Sequence, residues 1–436
     1  MRETLTLKKD VPVAGDYDVV VCGGGPAGLM AAISAARAGQ RTALIERMGF
    51  FGGTATAGFV VPISGFFHKG RRVVGGIAWE LVSRLVRRGA AQVELPKGHI
   101  SFHPEFYKLL AQEMVDESGV DAYTNAWVSG CRREGSALSH VVYESKSGTE
   151  AIAGRCFIDA TGEADLCRMA QVPMLSQSAA LQPLSLCFLL EGVDLSTDLL
   201  RNCIHHTGEG GRPSCNAVIR AYLDECVARG MLERFGGPWF NALVRGGVVA
   251  VNVTRRAGNA ACRASMQEAE RRLRQDMFAI VDLLRARFPE FQNCQIVCSG
   301  ANAGARETAR IRGLSVVTGD DMQSGRTYPC PVARCAHPMD LHRPDDSTQK
   351  LIPLERAAYV PHTALIPHGV ENLIAAGRCV SCDAQAYASL RVQATCMAIG
   401  ESAGVLAAQS CMQHAAVGNL DLDPVCEMLR ARGIVL

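Results

Sequence analysis

Residues 17–46, YDVVVCGGGPAGLMAAISAARAGQRTALIE, restrict the possible fold more than any other stretch of the chain. An apolar run at residues 18–22 predicts a strand, and Gly23, Gly25 and Gly28 follow it at G-x-G-x-x-G spacing. The first glycine permits a tight turn, the second lets backbone approach a pyrophosphate, and the third lets the next helix pack on the strand. The stretch therefore predicts a dinucleotide-binding βαβ unit in an α/β fold.

The helix of this unit is predicted to begin at Pro26, a residue suited to the first turn, and to end near Gly39. Free N–H groups in that turn, including the N–H of Ala27, would hold an anionic diphosphate. A second buried strand at residues 41–45 leads to Glu46, whose carboxylate would accept hydrogen bonds from ribose hydroxyls. The alternative is a glycine-rich turn in another α/β fold, but the strand, helix and acid in this order favour the dinucleotide site.

Composition limits the partners that we expect. The 436 residues include 45 basic and 43 acidic side chains, a net charge of +2, which gives no electrostatic case for nucleic acid or an acidic membrane. No apolar run reaches the ~20 residues that cross a bilayer, and residues 1–12 do not resemble a signal peptide. With 18 cysteines and no such signal, we expect reduced thiols, a cytoplasmic protein and no membrane insertion.

A glycine-rich loop, RMGFFGGTATAGFV, follows Glu46 and can run its backbone close to a flat ligand. Together with the GGGPAG turn, this loop resembles the FAD-dependent oxidoreductases among the glutathione-reductase-like (GR2-type) flavoproteins, related to fumarate reductase and thiazole-synthase-type proteins. The resemblance implies that the cofactor is FAD and that the loop lies along its pyrophosphate. It makes Arg47, Gly53 and Thr54 cofactor-binding candidates. A glycine loop without a cofactor contact is the alternative.

Short alternating runs at residues 122–128, 138–143 and 151–158 predict a small β-meander inserted into the nucleotide-binding fold. The last run continues into D-A-T-G at residues 159–162. In the resembled family, this element returns to the Rossmann sheet beneath the cofactor, and backbone near the first run contacts the adenine. The resemblance therefore adds these cofactor-binding candidates: Val128, Ala160, Thr161 and Gly162.

The family template is lost between residues 165 and 353, where an apolar segment, a helical region at 212–235 and an amphipathic helix at 259–288 predict an α+β substrate or cap domain. Within it, R-E-T-A-R-I-R-G at residues 306–313 resembles a family segment whose arginines approach the flavin and substrate. A guanidinium stays charged when buried and can hold a substrate oxygen, which makes Arg306 and Arg310 catalytic candidates. The alternative is an Arg–Glu network that ties cap to core.

Residues 329–350 show no periodicity and are predicted to form a surface connection. An apolar strand then ends at Gly377 and Arg378, where the resembled family returns the chain to the FAD diphosphate. A predicted helix at residues 388–409 is rich in Ala, Ser and Gly and would point its N-terminus at the pyrimidine edge of the isoalloxazine. The positive end of that helix would stabilise the anion of the reduced ring.

Three more catalytic candidates lie in this last part of the chain. His362 and the threonine after it replace a Tyr-Arg-like pair of the family, so His362 could donate or accept a proton. Tyr387 and Arg391 lie at the turn into the last helix, although Arg391 could be purely structural. Cys379 and Cys382 have C-x-x-C spacing, but buried thiols are commonly inert, which disfavours a dithiol relay.

These observations predict a Rossmann-like FAD-binding domain with an inserted β-meander and an α+β cap domain. The FAD-binding domain takes residues 15–65, 100–170 and 355–412, the cap takes residues 66–99 and 171–354, and a C-terminal tail takes 413–436. No metal site is predicted, and no C-x-x-C-x-x-C run suggests an iron–sulfur relay.

The predicted reaction is hydride transfer between flavin N5 and a carbon of a small organic substrate, with a carboxylated compound as one option. Arg306 or Arg310 would hold a substrate oxygen, and His362 or Tyr387 would move the proton. No second G-x-G-x-x-G unit provides an NAD(P)H domain, so the electron donor or acceptor is unknown. The alternatives are a monooxygenase with an external nicotinamide donor and a non-catalytic FAD electron-transfer or binding subunit. The oligomeric state is left open.

Overall fold

A computed structural model describes the chain except for residues 1–4, 6–7, 95–97, 177–180, 198, 201–214, 245, 345–346 and 348. The first residues of the helical region predicted at 212–235, and parts of the N-terminal segment, therefore lie outside the described residues.

The described strands in the first 160 residues are β1 Val13–Cys22, β2 Thr42–Glu46, β3 Phe67–His68, β4 Arg71–Arg72, β5 Ala91–Glu94, β6 His99–Phe102, β7 Asp121–Thr124, β8 Trp127–Glu134, β9 Ala137–Ser145 and β10 Gly148–Asp159. The later strands are β11 Leu184–Ser185, β12 Phe188–Glu191, β13 Trp239–Ala242, β14 Val249–Asn252, β15 Gln295–Ser299, β16 Gly304–Ala305, β17 Pro331–Cys335, β18 Met339–His342, β19 Gln349–Ile352, β20 Ala358–Pro361 and β21 Leu373–Ala375. The described α-helices are α1 Pro26–Arg37, α2 Gly76–Arg87, α3 Pro104–Glu117, α4 Asp165–Met169, α5 Cys215–Ala228, α6 Arg263–Arg287, α7 Gly319–Ser324, α8 Ala384–Leu390, α9 Gln393–Gln413 and α10 Leu422–Ala431.

The main sheet has the order β7-β2-β1-β10-β9-β8, and β21 also pairs with β10. β1 pairs in parallel with both β2 and β10, and β21 pairs in parallel with the end of β10. The first part of β10 pairs antiparallel with β9, which pairs antiparallel with β8. One long strand thus joins a parallel nucleotide-binding sheet to a β-meander, which confirms the predicted α/β class.

The prediction that residues 122–128 form one strand, the first of the meander, is wrong. This stretch is divided between β7, which pairs in parallel with β2, and β8, which belongs to the meander. Asn125 lies between them with φ of 55°, a left-handed conformation that asparagine tolerates better than most residues. No glycine or proline marks this bend in the sequence, so the sequence pattern alone does not reveal it.

The small residues of α1 and α9 are explained by how closely the two helices pack. A Cβ atom at Gly400 would lie 2.0 Å from the carbonyl oxygen of Ala27, and one at Gly404 would lie 2.4 Å from that of Ala31. The predicted helix at residues 388–409 is in fact two helices, because Val392 is extended with ψ of 151° and separates α8 from α9. The second helix therefore begins at Gln393, two residues after Arg391.

Glu401 is a buried carboxyl group in the middle of α9. Its Oε2 accepts a hydrogen bond from the backbone N–H of Ile77, in the first turn of α2, at 2.8 Å. A Cβ atom at Gly76 would lie 2.3 Å from Oε2, so glycine is needed there for the carboxyl to fit. Burial raises the pKa of Glu401 to about 7.

We expect Glu401→Gln to stabilise the protein at pH 8.5 and to have little effect at pH 5. Because the folded-state pKa is raised, the carboxyl contributes stability that is present below its ordinary pKa near 4.5 and lost as the pH rises through about 7. Glutamine can accept the Ile77 hydrogen bond without becoming charged, so the gain at high pH should be ~2–3 kcal/mol. Urea unfolding at both pH values measures it. Equal effects at the two pH values, or a gain that the exposed Glu427→Gln also shows, would contradict the assignment.

A second sheet with the order β13-β14-β12-β15 is antiparallel throughout. Its buried face has its own apolar cluster with α6, in which Phe188 and Val251 of the sheet join Met277 and Ile280 of the helix. This α+β part lies where a cap was predicted, and α6 lies within the amphipathic helix predicted at residues 259–288. The exact domain boundaries stay a prediction.

The prediction that residues 329–350 form a surface connection is wrong. β17 pairs with β20, and β18 pairs with β19. Asp340 and His342 of β18 are buried although they are polar. Besides bonding to each other, they bond to Arg391 and Arg255, which come from distant parts of the chain. The segment itself therefore shows no apolar periodicity that would have indicated burial.

Among the residues that the structure describes, no helix is both long enough and apolar enough to cross a membrane. Within the same residues, no group of three or more His, Cys, Asp or Glu side chains is arranged to hold a metal ion.

Candidate active site

The three glycines of the first turn have different surroundings. A Cβ atom at Gly23, where φ is 98°, would lie 2.6 Å from the carbonyl oxygen of Ala160, and one at Gly28 would lie 1.7 Å from that of Gly23. At Gly25, in contrast, the nearest atom to an added Cβ would be Cα of Gly53, at 3.9 Å. The fold itself therefore requires glycine at Gly23 and Gly28, while the space over Gly25 is open.

The start of α1 fits a diphosphate. Gly25 is the N-cap residue and has no side chain to cap the helix, and Pro26 follows as the first helical residue. The first N–H groups of a helix have no partner within it and carry the positive end of the helix dipole, so an uncapped N-terminus facing open space suits an anion. The predicted diphosphate contacts of Gly25, Pro26 and Ala27 are consistent with this geometry.

The glycine loop after β2 packs directly on this turn. The N–H of Gly52 donates to the carbonyl oxygen of Gly24 at 2.9 Å, and a Cβ atom at Gly53 would lie 2.8 Å from Cα of Gly25. Thr54 lies in the short 3-10 turn Gly53–Ala55 and is partly exposed. The hydroxyl of Thr56 instead donates to the carbonyl oxygen of Phe51 at 2.8 Å, a hydrogen bond within the loop.

Glu46 lies at the end of β2, beside the turn. Its carboxylate accepts hydrogen bonds from the N–H groups of Gly24 at 2.6 Å and Met48 at 2.8 Å. Burial raises the pKa of Glu46, and these two N–H donors oppose that shift. The carboxylate is thus held firmly next to the glycine turn, where the ribose contact is predicted.

Arg47 and Val128 lie next to each other beside Trp127. The Arg47 guanidinium lies over the ring of Trp127, 5.3 Å from its centroid, and Trp127 is 55% exposed at the start of β8. Val128 is the next residue and is buried. An exposed aromatic ring beside this backbone is compatible with the predicted adenine contact, which stays a prediction.

The return strand β21 brings Gly377 and Arg378 to the same place. A Cβ atom at Gly377 would lie 2.9 Å from Cβ of Ala27, at the start of α1. Arg378 donates to the carbonyl oxygen of Ala305 at 2.6 Å and pairs with Glu163 at 2.6 Å. A Cβ atom at Gly162, where φ is 86°, would lie 2.4 Å from Nη2 of Arg378.

Two residues of the D-A-T-G element also lie at this junction. Ala160 donates its N–H to the carbonyl oxygen of Cys22, at the end of β1. Thr161 donates its hydroxyl to Asp159 Oδ1 at 2.7 Å. The structure therefore brings the candidates of the turn, the loop, the D-A-T-G element and the return strand together around one end of the parallel sheet.

The catalytic candidates Arg306, Arg310 and Tyr387 form one cluster. The Tyr387 hydroxyl donates to the carbonyl oxygen of Arg306 at 3.0 Å, and the Arg310 guanidinium lies 5.0 Å from the centroid of the Tyr387 ring. Arg310 and Glu307 are both buried and form an ion pair at 3.1 Å. This pairing matches the Arg–Glu network that was the alternative reading for Arg310.

Arg306 is differently placed, because its partners are neutral. Its Nη1 donates to the carbonyl oxygen of Pro183 at 2.9 Å and to the Ser185 hydroxyl at 2.7 Å. Burial, together with the nearby charges of Arg391 and Arg255, lowers the pKa of Arg306 to about 9. Arg306 remains partly accessible to solvent.

Arg391 lies between α8 and α9 and joins the cluster to three residues that the sequence did not suggest. Its Nη2 donates to Asp340 Oδ2 at 3.1 Å. The same oxygen accepts from His342 Nε2 at 2.7 Å, and His342 Nδ1 accepts from Arg255 Nη2 at 3.0 Å. Because Nδ1 is the acceptor, Nε2 must carry the hydrogen of a neutral imidazole.

The charges around Asp340 explain the protonation states in this cluster. Hydrogen bonding to His342 and the charge of Arg391 hold the pKa of Asp340 well below its usual range, although burial opposes this. Burial and the charge of Arg306 lower the pKa of His342 to about 3. The contact between His342 and Asp340 is therefore a hydrogen bond from a neutral ring and not an ion pair.

His362 contacts a different part of the chain from these arginines. Its Nδ1 is 3.4 Å from the carbonyl oxygen of Cys330, and burial lowers its pKa. Its role as a proton donor or acceptor stays a prediction. Cys379 and Cys382 are buried free thiols that donate to backbone carbonyl oxygens, and burial raises the pKa of both. This environment supports the interpretation that they are inert.

The family model matches most of this chain, whereas the alignments to individual relatives cover only a small part of it. The family model described as FAD dependent oxidoreductase matches residues 18–429. Dihydrolipoyl dehydrogenase of Trypanosoma brucei brucei is 46% identical over 62 residues, which are 14% of this chain and 13% of that protein. Mitochondrial dihydrolipoyl dehydrogenase 2 of Arabidopsis thaliana is 26% identical over 160 residues, 32% of this chain and 30% of that protein.

Among solved structures, a geranylgeranyl bacteriochlorophyll reductase-like protein from Thermoplasma acidophilum aligns with 96% of this chain and 82% of its own, at 14% identity and a TM-score of 0.49. The alignments to the two dehydrogenases span less than a third of those relatives, so they say nothing about a shared substrate. The family model, in contrast, extends from β1 to α10 and includes every cofactor-binding candidate. The chain belongs to the FAD dependent oxidoreductase family, and FAD is its cofactor.

Proposed function

We propose that this protein moves a hydride between N5 of bound FAD and a carbon of a small organic substrate. Bound FAD supplies a two-electron donor or acceptor for such a reaction. The observation that carries the proposal is that the arginine cluster adjoins the N-terminus of α9, at the end of the sheet where the cofactor candidates meet. Arg391 is the residue directly before Val392, the N-cap of that helix.

Contacts from three parts of the chain converge near this helix start. Gln393, the first residue of α9, donates to the carbonyl oxygen of Val60 at the end of the glycine loop, at 2.8 Å. Asn241 of the second sheet donates to the carbonyl oxygen of the next residue, Val61, at 2.8 Å. The loop, the helix and the cap sheet therefore enclose one region, and a flat ring system extending from the diphosphate turn would enter it.

The side chains and dipoles here would stabilise negative charge. The N-terminus of α9 has no side-chain cap, and its positive end favours an anion near the ring. Arg306 can hold a substrate oxygen because it is partly accessible and, among the described residues, donates to neutral groups and pairs with no carboxylate. Burial raises the pKa of Tyr387, so its hydroxyl stays protonated and keeps its hydrogen bond to the carbonyl oxygen of Arg306.

We also infer that the chain belongs to the GR2-type branch related to fumarate reductase and thiazole-synthase-type proteins. The glycine loop, the D-A-T-G element and the Gly-Arg return support this. The same reasoning supports the proposed division into a discontinuous FAD-binding domain and a cap, because the cap sheet has its own apolar cluster. A cytoplasmic location and an external electron donor or acceptor complete the proposal.

Anaerobic spectroscopy of the FAD-loaded protein tests the reaction. We expect one member of a panel of small carboxylated and neutral compounds to bleach the oxidised flavin, or to reoxidise the reduced flavin, in a single two-electron step. Oxygen consumption with a nicotinamide donor and incorporation of oxygen into product would instead support a monooxygenase. A flavin that exchanges electrons with no small molecule would support the electron-transfer or binding subunit.

A further inference from the structure

We propose that His337 is the base that takes a proton from the substrate, and that the reacting carbon of the substrate carries an O–H or N–H group. This role rests on the proposed function, because it names the group that accepts the proton when the hydride leaves. His337 lies in the short connection between β17 and β18. The substrate class that follows is an alcohol or an amine.

The ring of His337 has one nitrogen that is free to accept a proton. Its Nδ1 lies 2.8 Å from the carbonyl oxygen of Pro338, and a carbonyl oxygen can only accept, so Nδ1 carries the hydrogen. In a neutral imidazole the lone pair is then on Nε2. No residue in the described part of the chain donates a hydrogen bond to Nε2, and the side chain is partly accessible. Nε2 is therefore available to a ligand.

His337 is held beside the start of α9. The Ser389 hydroxyl, from α8, donates to the carbonyl oxygen of His337. On the side of the glycine loop, a Cβ atom added at Gly65 would lie 3.6 Å from Cβ of His337. The same atom would lie 3.4 Å from Cγ2 of Val392, the N-cap residue of α9. His337 thus adjoins the region where the isoalloxazine ring is proposed to lie.

The surroundings of His337 keep its ring neutral. Burial lowers the pKa of His337 from its ordinary value near 6.5. Two charged groups of the described chain act on it in opposite directions: Asp340 of β18 raises the pKa, and Arg391 at the junction of α8 and α9 lowers it. The thiol of Cys335, at the end of β17, is neutral because burial raises its pKa. At neutral pH the ring is therefore an unprotonated base.

A base at this position balances the proposed reaction. When the C–H bond of an alcohol breaks, its hydrogen and electron pair pass to flavin N5, the O–H proton passes to Nε2 of His337, and a C=O bond forms. An amine would give a C=N bond in the same way. The imidazolium then returns its proton to water. Tyr387 cannot take the first proton, because its raised pKa keeps its own hydroxyl protonated.

Nitrogen NMR of the FAD-loaded protein with isotope-labelled histidine tests the state of the ring without any turnover. We expect the signal that disappears in His337→Asn to have the hydrogen on Nδ1 and to titrate below 6.5. A ring with its hydrogen on Nε2, or one that is already an imidazolium at neutral pH, would overturn the proposal.

Anaerobic bleaching of the oxidised flavin tests the role in the reaction. The probes are lactate, glycerol and alanine, with succinate as a compound that has no O–H or N–H on the carbons between its carboxylates. We expect a probe of the first kind to bleach the flavin, at a rate that falls as the pH drops through the pKa of His337. His337→Asn, whose amide can still donate to the Pro338 carbonyl, and His337→Gln should both lower this rate about 100-fold or more and remove its fall at low pH. His140→Asn, in β9 of the meander, is the matched control and should react as the unmodified protein does.

The outcomes separate the base from the reaction. Bleaching by a hydroxyl or amine compound that both His337 variants slow, with their FAD content and circular dichroism unchanged, would support the proposal. Bleaching at the unmodified rate in these variants, a fall at low pH that they retain, or bleaching by succinate alone would overturn the role of His337 and leave the proposed function standing. A flavin that no compound bleaches or reoxidises would count against the proposed function, and the role of His337 would fall with it.

Discussion

Replacing Gly25 by alanine should leave the protein folded and remove its FAD. The backbone at this position has φ of −69° and ψ of −172°, which alanine adopts without strain. An added Cβ would meet no protein atom closer than 3.9 Å, but it would fill the space next to the uncapped start of α1. We expect the affinity for FAD to fall about 100-fold or more, equivalent to ~2.7 kcal/mol.

The flavin-to-protein ratio after purification and a titration of the apoprotein with FAD measure this effect. Gly130→Ala is the matched control, because its Cβ would make only ordinary contact with the Val142 side chain at 3.6 Å. Both variants should keep the circular dichroism of the unmodified apoprotein. A Gly25→Ala protein that binds FAD as tightly as the Gly130→Ala protein would show that the diphosphate lies elsewhere.

Among single replacements of charged residues in the arginine cluster, Asp340→Ala should lower the free energy of unfolding the most. It removes the carboxylate that accepts hydrogen bonds from both His342 and Arg391. Removing one partner from a buried ionic network typically costs ~3–5 kcal/mol in the free energy of unfolding. Urea unfolding of the apoprotein at neutral pH measures the loss.

The surface ion pair between Asp282 and Arg285 provides the comparison. These groups lie 3.1 Å apart, but the Asp282 side chain is 71% exposed, so Asp282→Ala should cost no more than ~1 kcal/mol. A loss in Asp340→Ala as small as that in Asp282→Ala would mean that the cluster around Asp340 does not hold the cap segment to α8 and α9.

The nucleotide-binding half of the fold could be predicted because its determinants are local. Gly28 is required by its contact with the carbonyl oxygen of Gly23, five residues earlier, and Glu46 bonds to the turn through backbone N–H groups. Each of these constraints acts within a few residues of a strand or helix end. A sequence motif records such constraints directly, so the turn, the loop and the return strand could be placed without the structure.

The residues around the proposed substrate site could be predicted only in part, because their interactions join distant segments. Arg306 and Arg391 were suggested by resemblance and by position. Asp340, in contrast, meets Arg391 across 51 residues, and His342 meets Arg255 across 87. Nothing near Asp340 in the sequence indicates that it is buried, since its burial depends on cations supplied by other elements. Such a group is visible only once the fold brings its members together.

A crystal structure of the FAD-loaded protein tests the central claim most directly. We expect the diphosphate to lie on the N-terminus of α1 over Gly25, and the isoalloxazine to lie beside the N-terminus of α9 with Arg306 and Arg391 facing it. An isoalloxazine ring directed away from α9, with both guanidinium groups on the far side of the protein from N5, would contradict the account.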